Sequence, residues 1–301
     1  MTGCPLLLCQ EPIDSPAEIC SPRHLITSVI VNGYLFRTYR GGDDDTDNCL
    51  QVIRDGKVIF RRTLNSHPMF QGYALGQSAS RKWKIPSIPN GTDITGRGHP
   101  DMIVSLYTGG AHCCLMHYVF ELEPSFRLLA TLNARDTWPA YFADLDGNHH
   151  YFYLAEDWTF AYWWGSFAGS PNHSVVLQYV DDAKGGGFHL AIEKMKTPAP
   201  TSEEWGASLR SVREELALDR ANMANSLPNV LWNEVMGLIY TDHSDLAWKF
   251  LDEIGPEAQA GDKPDLAAFC STLKTSPYWA DLEPTLRNTP PACANAKPGR
   301  R

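Results

Sequence analysis

An internal repeat constrains the fold of this chain more than any other feature of its sequence. Tyr-Arg-Gly-Gly at residues 39–42 recurs as Tyr-Thr-Gly-Gly at 107–110, and the same offset of 68 residues aligns Thr-Leu-Asn at 63–65 with Thr-Leu-Asn at 131–133. The alignment runs without a gap from residue 39 to residue 65. A match held over that length indicates duplicated structural units.

A second, weaker alignment has an offset of 51 residues. It places the turn at 93–96 over the turn at 144–147, and residues 102–105 over residues 153–156. Three β-units of about 50 residues are typical of propeller blades or of a related repeat sheet. Because a propeller usually needs four to eight blades, three units predict an open array or one that is capped by helices.

The pattern of apolar residues changes near residue 198. Before this point, short β-like runs alternate with turn residues; the runs are Ile26–Val31, Tyr34–Tyr39, Leu50–Ile53, Val58–Arg62, Met102–Tyr107, Tyr118–Leu122, Tyr151–Ala155 and Val175–Tyr179. After it, apolar residues follow a helical period, and Thr201 and Glu204 have the spacing of a capping box. We predict helices over 201–218 and Pro228–Tyr240, and two more containing Leu246–Leu251 and Leu266–Leu273.

These patterns predict an α+β fold in which an antiparallel, propeller-like and incomplete β-repeat domain precedes a small all-α domain. The expected limits are an irregular Cys/Pro-rich arm at 1–25, the β-repeat domain at 26–197, the helical domain at 198–285 and a flexible tail at 286–301, where Cys293 alone is expected to be fixed.

Two segments carry a resemblance to a known family. GTDITGRGHPDMIVSLYTGGAHCC at 91–114 and FADLDGNHHYFYL at 142–154 resemble the FG-GAP, or integrin-type β-propeller, repeat. The chain is more similar still to secreted bacterial proteins with a TG-x-G-x-PD…GGAHCC signature. The resemblance implies an extracellular or periplasmic scaffold that is stabilised by calcium and used mainly for binding.

Charge and composition exclude several classes of protein. The chain has 35 acidic and 26 basic residues, a net charge of −9 and a pI near 5.5, and such a surface repels nucleic acid. No apolar run approaches the roughly 20 residues that span a bilayer. P-loop, dinucleotide-binding, GxSxG and HExxH motifs are absent from the sequence.

The eight cysteines point to an oxidising compartment. Three lie in the first 20 residues and one in the Pro/Ala-rich tail, where a buried free thiol has little packing role and a disulfide is the natural use. We predict at least two disulfides, Cys270–Cys293 and a bridge from Cys49 to Cys113 or Cys114. The first ten residues lack a basic region and a long apolar stretch, so they do not resemble a signal peptide, and the periplasmic or extracellular location rests on the cysteines.

Calcium in the repeat loops would need oxygen ligands at positions 1, 3, 5 and 9, and the residues of two loops are candidates for them. The first loop offers Asp93, Thr95 and Asp101, but Arg97 occupies a ligand position, and an Arg97 fork between the two carboxylates is the preferred alternative to an ion. The second loop offers Asp144, Asp146 and Asn148, with Phe152 at position 9. The acidic run Asp43–Asp45 with Asp47 is a third candidate, for which a solvated loop is expected.

The segment Gly109–Cys114 contains the most unusual group of side chains. His112, Cys113 and Cys114 can serve a hydrolase-type or metal site, but adjacent cysteines of a strand point to opposite faces. We therefore expect a disulfide or a core role for them. An enzyme or a metal-binding protein that uses this segment is the alternative function.

An aromatic band follows at 158–167. Trp158, Phe160, Tyr162 and Trp164 alternate as the buried face of a strand would, and Trp158, Tyr162, Trp163 and Trp164 are the candidate binding residues because flat apolar rings stack on sugars. Glu156 and Asp157 are weak candidates for a glycosidase pair. The sequence as a whole predicts an exported, non-enzymatic binding or scaffold protein whose partner is a protein or a glycan.

Overall fold

The computed structural model describes residues 20–21, 24–41, 47–65, 72–108, 114–181, 186–222, 229–255 and 265–299. Contacts divide the chain into two compact units, Met1–Ala155 with Gln178–Phe188, and Glu156–Leu177 with His189–Arg301. The domain limits expected from the sequence stay a prediction, because a unit defined by contacts need not be a domain that folds alone.

The first sheet is a four-stranded antiparallel meander in chain order, formed by β1 (Leu25–Val31), β2 (Tyr34–Gly41), β3 (Asp47–Arg54) and β4 (Lys57–Asn65). Two of its turns are two residues long, Asn32-Gly33 and Asp55-Gly56, and all four residues have positive φ. Turns of this kind match the twist of paired strands, and Asn or Asp followed by Gly adopts them at low cost.

The second sheet repeats the same strand order. It contains β5 (Gly72–Leu75), β6 (Asp101–Tyr107), β7 (Leu115–Glu121) and β8 (Arg127–Arg135). The offset of 68 residues relates β2, β3 and β4 to β6, β7 and β8, so the duplicated sequence corresponds to duplicated meanders.

The first two sheets share one apolar core, to which alternate residues of their strands contribute. Phe36 and Phe120 meet edge to face with their ring centroids 5.8 Å apart. The buried members of the core are Val31, Tyr34, Phe36, Leu50, Val52, Tyr73, Met102, Val104, Leu106, Tyr118, Phe120 and Leu122.

A third four-stranded sheet contains β9 (Tyr141–Asp144), β10 (Tyr151–Asp157), β11 (His173–Val180) and β12 (Gly187–Leu190), again in chain order. The fold is α+β with three antiparallel meanders, as the sequence predicts. Over the residues that the structure describes, the sheets form no closed barrel and no propeller.

The helices are α1 (Ile192–Met195), α2 (Ser202–Asn222), α3 (Asn229–Tyr240), α4 (Ser244–Ile254), α5 (Leu266–Leu273), α6 (Trp279–Leu282) and α7 (Pro291–Ala294). The predicted capping box opens α2: the Thr201 amide and hydroxyl donate to Glu204 Oε2 at 2.7 and 2.8 Å, and the Glu204 amide donates to Thr201 Oγ at 3.3 Å. None of the helices within the described ranges is both long enough and apolar enough to cross a membrane.

The segment expected to be a flexible tail contains α7 and is hydrogen-bonded to α5 and the turn that follows it. Lys274 Nζ donates to the carbonyls of Ala294 and Ala296 at 3.0 and 2.8 Å, and the Gly299 amide donates to the Ser271 carbonyl at 2.9 Å. These bonds fix the backbone that follows Cys293.

Candidate functional site

The first predicted calcium loop is closed by its own backbone amides. Asp93 Oδ1 accepts hydrogen bonds from the amides of Gly96 (2.8 Å) and Arg97 (3.1 Å), and Asp93 Oδ2 accepts from the Gly98 amide (2.7 Å). An aspartate that accepts from amides further along the chain is the usual way in which a tight polar loop is stabilised. The Asp93 carboxylate therefore has partners without an ion.

The second predicted loop has the same construction. Asp144 Oδ1 accepts from the Asn148 amide (3.2 Å) and Asp144 Oδ2 from the His149 amide (2.8 Å), while Asn148 Oδ1 accepts from the His150 amide (3.0 Å). The hydrogen bond from His149 is the main reason why the pKa of Asp144 is lowered. Asp146 is exposed.

No three His, Cys, Asp or Glu side chains in the described ranges are grouped so that they could hold a metal ion. A calcium ion at either loop stays a prediction from the sequence.

Asp101, the other carboxylate of the first loop, is buried and is hydrogen-bonded to the start of the loop. Its Oδ2 accepts hydrogen bonds from the Ile94 amide (2.9 Å) and from the amide and hydroxyl of Thr95 (both 3.0 Å). Its Oδ1 is buried and has no hydrogen-bond partner among the described residues. Burial raises the pKa of Asp101 to about 6 against the opposing effect of these hydrogen bonds.

The predicted fork of Arg97 between Asp93 and Asp101 is wrong. The Arg97 guanidinium donates instead to Glu121 Oε2 on β7 at 2.8 Å, and Arg127 donates to Glu121 Oε1 at 2.7 Å. Backbone amides already satisfy the Asp93 carboxylate and one oxygen of Asp101, whereas the fully buried Glu121 side chain needs a cation to offset its loss of water.

Two disulfides have both of their cysteines among the described residues. Cys270 and Cys293 are bonded, with their Cα atoms 5.1 Å apart, which is the predicted pair. Cys20 and Cys49 form the second bond, so the predicted bridge from Cys49 to the 113/114 pair is wrong. Cys49 lies in a small buried cluster with Cys20 and Tyr39, a proximity that no local pattern around either cysteine indicates.

Part of the predicted chemistry falls on residues that the structure does not describe. His112 and Cys113 lie outside the described residues, and so do Asp43–Asp45. Cys114, which is described, is disulfide-bonded and is therefore not a free thiol.

The aromatic band is a turn rather than a strand. Strand β10 ends at Asp157, and the following residues 158–165, here called the aromatic turn, form irregular turns and bends. Tyr162 and Trp164 have φ of +59° and +56°, a left-handed backbone that bulky residues rarely adopt. The predicted strand face is therefore wrong, and the alternation divides into the buried Trp158 and Phe160 and the exposed Tyr162 and Trp164.

The underside of the aromatic turn is packed against helices α3 and α5. Phe160 stacks on Phe269 with the ring centroids 5.0 Å apart, and Trp163 meets Phe160 edge to face at 5.0 Å. Trp163 also meets Trp232 edge to face at 5.6 Å, and Trp232 stacks on Phe269 at 4.7 Å. These four rings fix the position of the turn.

A buried carboxylate anchors the start of the turn. Asp157 Oδ1 accepts from the amide (2.8 Å) and the hydroxyl (2.5 Å) of Thr159, and Asp157 Oδ2 accepts from Ser276 Oγ (2.7 Å) and from the Tyr240 hydroxyl. With Asp157 only 2% exposed, each of its oxygens has two donors and none remains for a substrate. Asp157 therefore acts as a structural anchor rather than as half of a glycosidase pair with Glu156.

The outer part of the turn is held by polar and aromatic contacts. The Tyr162 amide donates to Ser170 Oγ at 2.7 Å. Phe167 stacks on Trp158 with the rings 4.7 Å apart and 11° from parallel, and it also contacts Tyr162 at 5.5 Å. Tyr162 and Trp164 remain 56% and 54% exposed.

Comparison of the chain with protein-family models, with curated proteins and with solved structures gives no match. The resemblance to the integrin-type repeat therefore stays a prediction from the sequence.

Of the four predicted binding residues, two are exposed to solvent. Tyr162 and Trp164 are exposed, Trp158 is buried, and Trp163 forms the base of the turn. The residues that anchor the turn were not predicted, because Tyr240 and Ser276 lie 83 and 119 residues from Asp157 in the chain. The arrangement offers two flat apolar faces on a fixed backbone.

Proposed function

We propose that this chain is an exported binding protein that recognises a glycan through Tyr162 and Trp164 of the aromatic turn. Two observations on these residues carry the proposal. Both side chains are more than half exposed, and both residues have a backbone held at positive φ. A bulky residue in this conformation costs free energy and persists only where its surroundings enforce it, which is how strained positions at binding sites arise.

Chemistry favours a sugar as the ligand. One face of a pyranose ring presents C–H groups, which pack on the flat, electron-rich face of an indole or a phenol ring. Since the buried rings and the Asp157 anchor already fix the turn, binding orders few side chains and loses little conformational entropy. A protein partner is the rival ligand for the same two rings.

The disulfides support export. Cys20–Cys49 and Cys270–Cys293 are bonded, and structural disulfides persist in the periplasm or outside the cell. The alternative of a hydrolase-type enzyme or a metal-binding protein depends on His112 and Cys113, which lie outside the described residues, and on Cys114, which is disulfide-bonded.

Glycan binding is tested by titrating the full chain with soluble β-linked glucose and N-acetylglucosamine oligomers in a calorimeter. We expect Trp164→Ala and Tyr162→Ala each to weaken binding about tenfold, which corresponds to roughly 1.4 kcal/mol for one lost stacking contact. Trp83→Ala is the matched control, because Trp83 is also exposed (40%) and lies outside the turn, and it should bind as the wild type does.

Two results would contradict the proposal. One is the absence of binding to every oligomer at millimolar concentration, and the other is equal affinity of the wild type and both turn variants. If no glycan binds while Trp164→Ala abolishes the cross-linking of a protein from the periplasm or the culture medium, the ligand of the aromatic turn is a protein.

A further inference from the structure

A cleft of about 810 Å³ lies among the helices, away from the two exposed rings of the aromatic turn. Its walls come from the segment 197–201, from α2, α3 and α4, and from His173 at the start of β11. The lining includes the apolar residues Pro198, Trp205 and Phe250 and the polar residues Glu204, Glu234 and His173.

The lining is acidic. It contains two glutamates and, over the described residues, no lysine or arginine. Behind His173, whose ring lies 5.3 Å from that of Tyr240, the buried Asp157 is hydrogen-bonded by hydroxyl and amide groups, which carry no charge. A cleft with acidic walls in a chain of net charge −9 attracts cations.

Most polar groups of the lining already have partners within the chain. Glu204 closes the capping box with Thr201, His243 Nε2 is 2.8 Å from the Thr197 carbonyl, and Asn233 Oδ1 accepts from the Asn172 amide. Glu234 is different, because among the described residues it forms neither a hydrogen bond nor an ion pair. Its carboxylate is free to pair with a ligand.

His173 and Gly237 line the cleft together with Glu234. Burial lowers the pKa of His173 against the opposing effect of Asp157, so its imidazole is neutral at neutral pH and does not repel a cation. Gly237 follows Glu234 by three residues on α3, and a Cβ at this position would lie 3.9 Å from His173 Cε1. Glycine inside a helix costs about 1 kcal/mol relative to alanine, and its effect here is to leave space beside the Glu234 carboxylate.

We propose that this cleft binds an organic cation, a primary ammonium or guanidinium group on an apolar chain or ring, with the charge paired to Glu234 and the apolar part against Trp205 and Pro198. The ligand class is distinct from the glycan of the aromatic turn.

The test is a calorimetric titration of the full chain with phenethylamine and, in parallel, with phenethyl alcohol, which has the same ring and chain but no charge. We expect the amine to bind at least about tenfold more tightly than the alcohol. Glu234→Gln should remove this preference. Glu214→Gln is the matched control, because Glu214 is exposed on α2 and does not line the cleft, and it should retain it.

A second pair of variants tests the space rather than the charge. Gly237→Met should occupy part of the cleft beside Glu234 and abolish amine binding. Gly237→Ala should fold at least as well as the wild type, because its Cβ would make only an ordinary contact with His173. Trp164→Ala should leave amine binding unchanged, which separates this proposal from the glycan proposal.

The proposal is overturned if the amine does not bind at millimolar concentration or if amine and alcohol bind equally. It is overturned as well if a folded Glu234→Gln or Gly237→Met variant, with a cooperative thermal transition, binds the amine as the wild type does.

Discussion

Asp93 and Asp144, which lie 51 residues apart, accept hydrogen bonds from the same two positions of their loops. In each loop Oδ1 accepts from the amide four residues on, at 3.1 and 3.2 Å, and Oδ2 accepts from the amide five residues on, at 2.7 and 2.8 Å. The two loops that the 51-residue offset aligns therefore have the same pattern of hydrogen bonds from backbone amides to an aspartate. A carboxylate that bonds backbone amides can hold this loop shape without a metal ion.

Removing the first of these carboxylates should loosen the first loop. We expect Asp93→Ala to lower the free energy of unfolding by about 1–3 kcal/mol, because three loop amides lose their acceptor. Asp93→Asn retains one acceptor oxygen and should lose less. Urea denaturation followed by tryptophan fluorescence measures both, and equal stability of the wild type and Asp93→Ala would show that water replaces the carboxylate at no cost.

The backbone of the two loops gives a second prediction. Gly98 (φ +79°) and His149 (φ +64°) occupy equivalent positions 51 residues apart, and no atom lies within 4 Å of the place where a Cβ would stand at Gly98. Gly98→Ala should therefore destabilise through backbone strain alone, by about 1 kcal/mol.

The reciprocal change, His149→Gly, should cost nothing or stabilise slightly, because it relieves the same strain. Thermal denaturation of the two variants is the measurement. A Gly98→Ala variant as stable as the wild type, or a marked loss in His149→Gly, would refute the equivalence of the two loops.

Asp101 should make the folded protein less stable as the pH rises, because its pKa is raised on folding rather than lowered. Its pKa rises from 3.8 to about 6 on folding, so between these values the native state binds more protons than the unfolded state. The contribution of Asp101 to the free energy of unfolding therefore falls as the pH rises through this window, by about 2–3 kcal/mol in total.

The variant D101N has no titrating group at this position and keeps one acceptor oxygen for the Ile94 and Thr95 amides. Relative to the wild type it should gain stability as the pH rises from about 4 through about 6, and the gain should then level off, as urea denaturation at each pH would show. A stability difference between D101N and the wild type that does not change with pH would contradict the raised pKa.

Local patterns in the sequence predicted most of the secondary structure. The eight predicted strands are present, and so are the capping box of α2 and the helix that ends at Tyr240. Each of these depends on residues within a few positions of one another. The strands that were missed are β5, β8, β9 and β12, three of which are only four residues long, too short for a period to be recognised.

The candidate site was predicted only in part, because its geometry depends on distant residues. The alternation from Trp158 to Trp164 is typical of a strand, and nothing in it indicates that Tyr162 and Trp164 adopt positive φ, a conformation usually found at glycine. The turn is enforced by Phe269, Ser276 and other residues more than 60 positions away. Local sequence has no signal for such contacts.

The ion pairs of Glu121 give a last prediction. Its side chain is fully buried, whereas those of its partners Arg97 and Arg127 are 19% and 40% exposed. Breaking a buried pair leaves the remaining charge without compensation and costs up to about 3–5 kcal/mol, and the cost falls as the lost partner becomes more exposed to water.

We therefore expect Arg97→Leu to lower the free energy of unfolding more than Arg127→Leu does. Asp181, which also pairs with Arg97, is 61% exposed, so its loss of a partner should add little. Millimolar calcium should not rescue Arg97→Leu, because the carboxylate that loses its partner is Glu121 rather than one of the loop aspartates. Urea denaturation of both variants, with and without calcium, measures these changes. A larger loss of unfolding free energy in Arg127→Leu, or a recovery of stability in Arg97→Leu on adding calcium, would mean that Arg97 acts on the loop and not on Glu121.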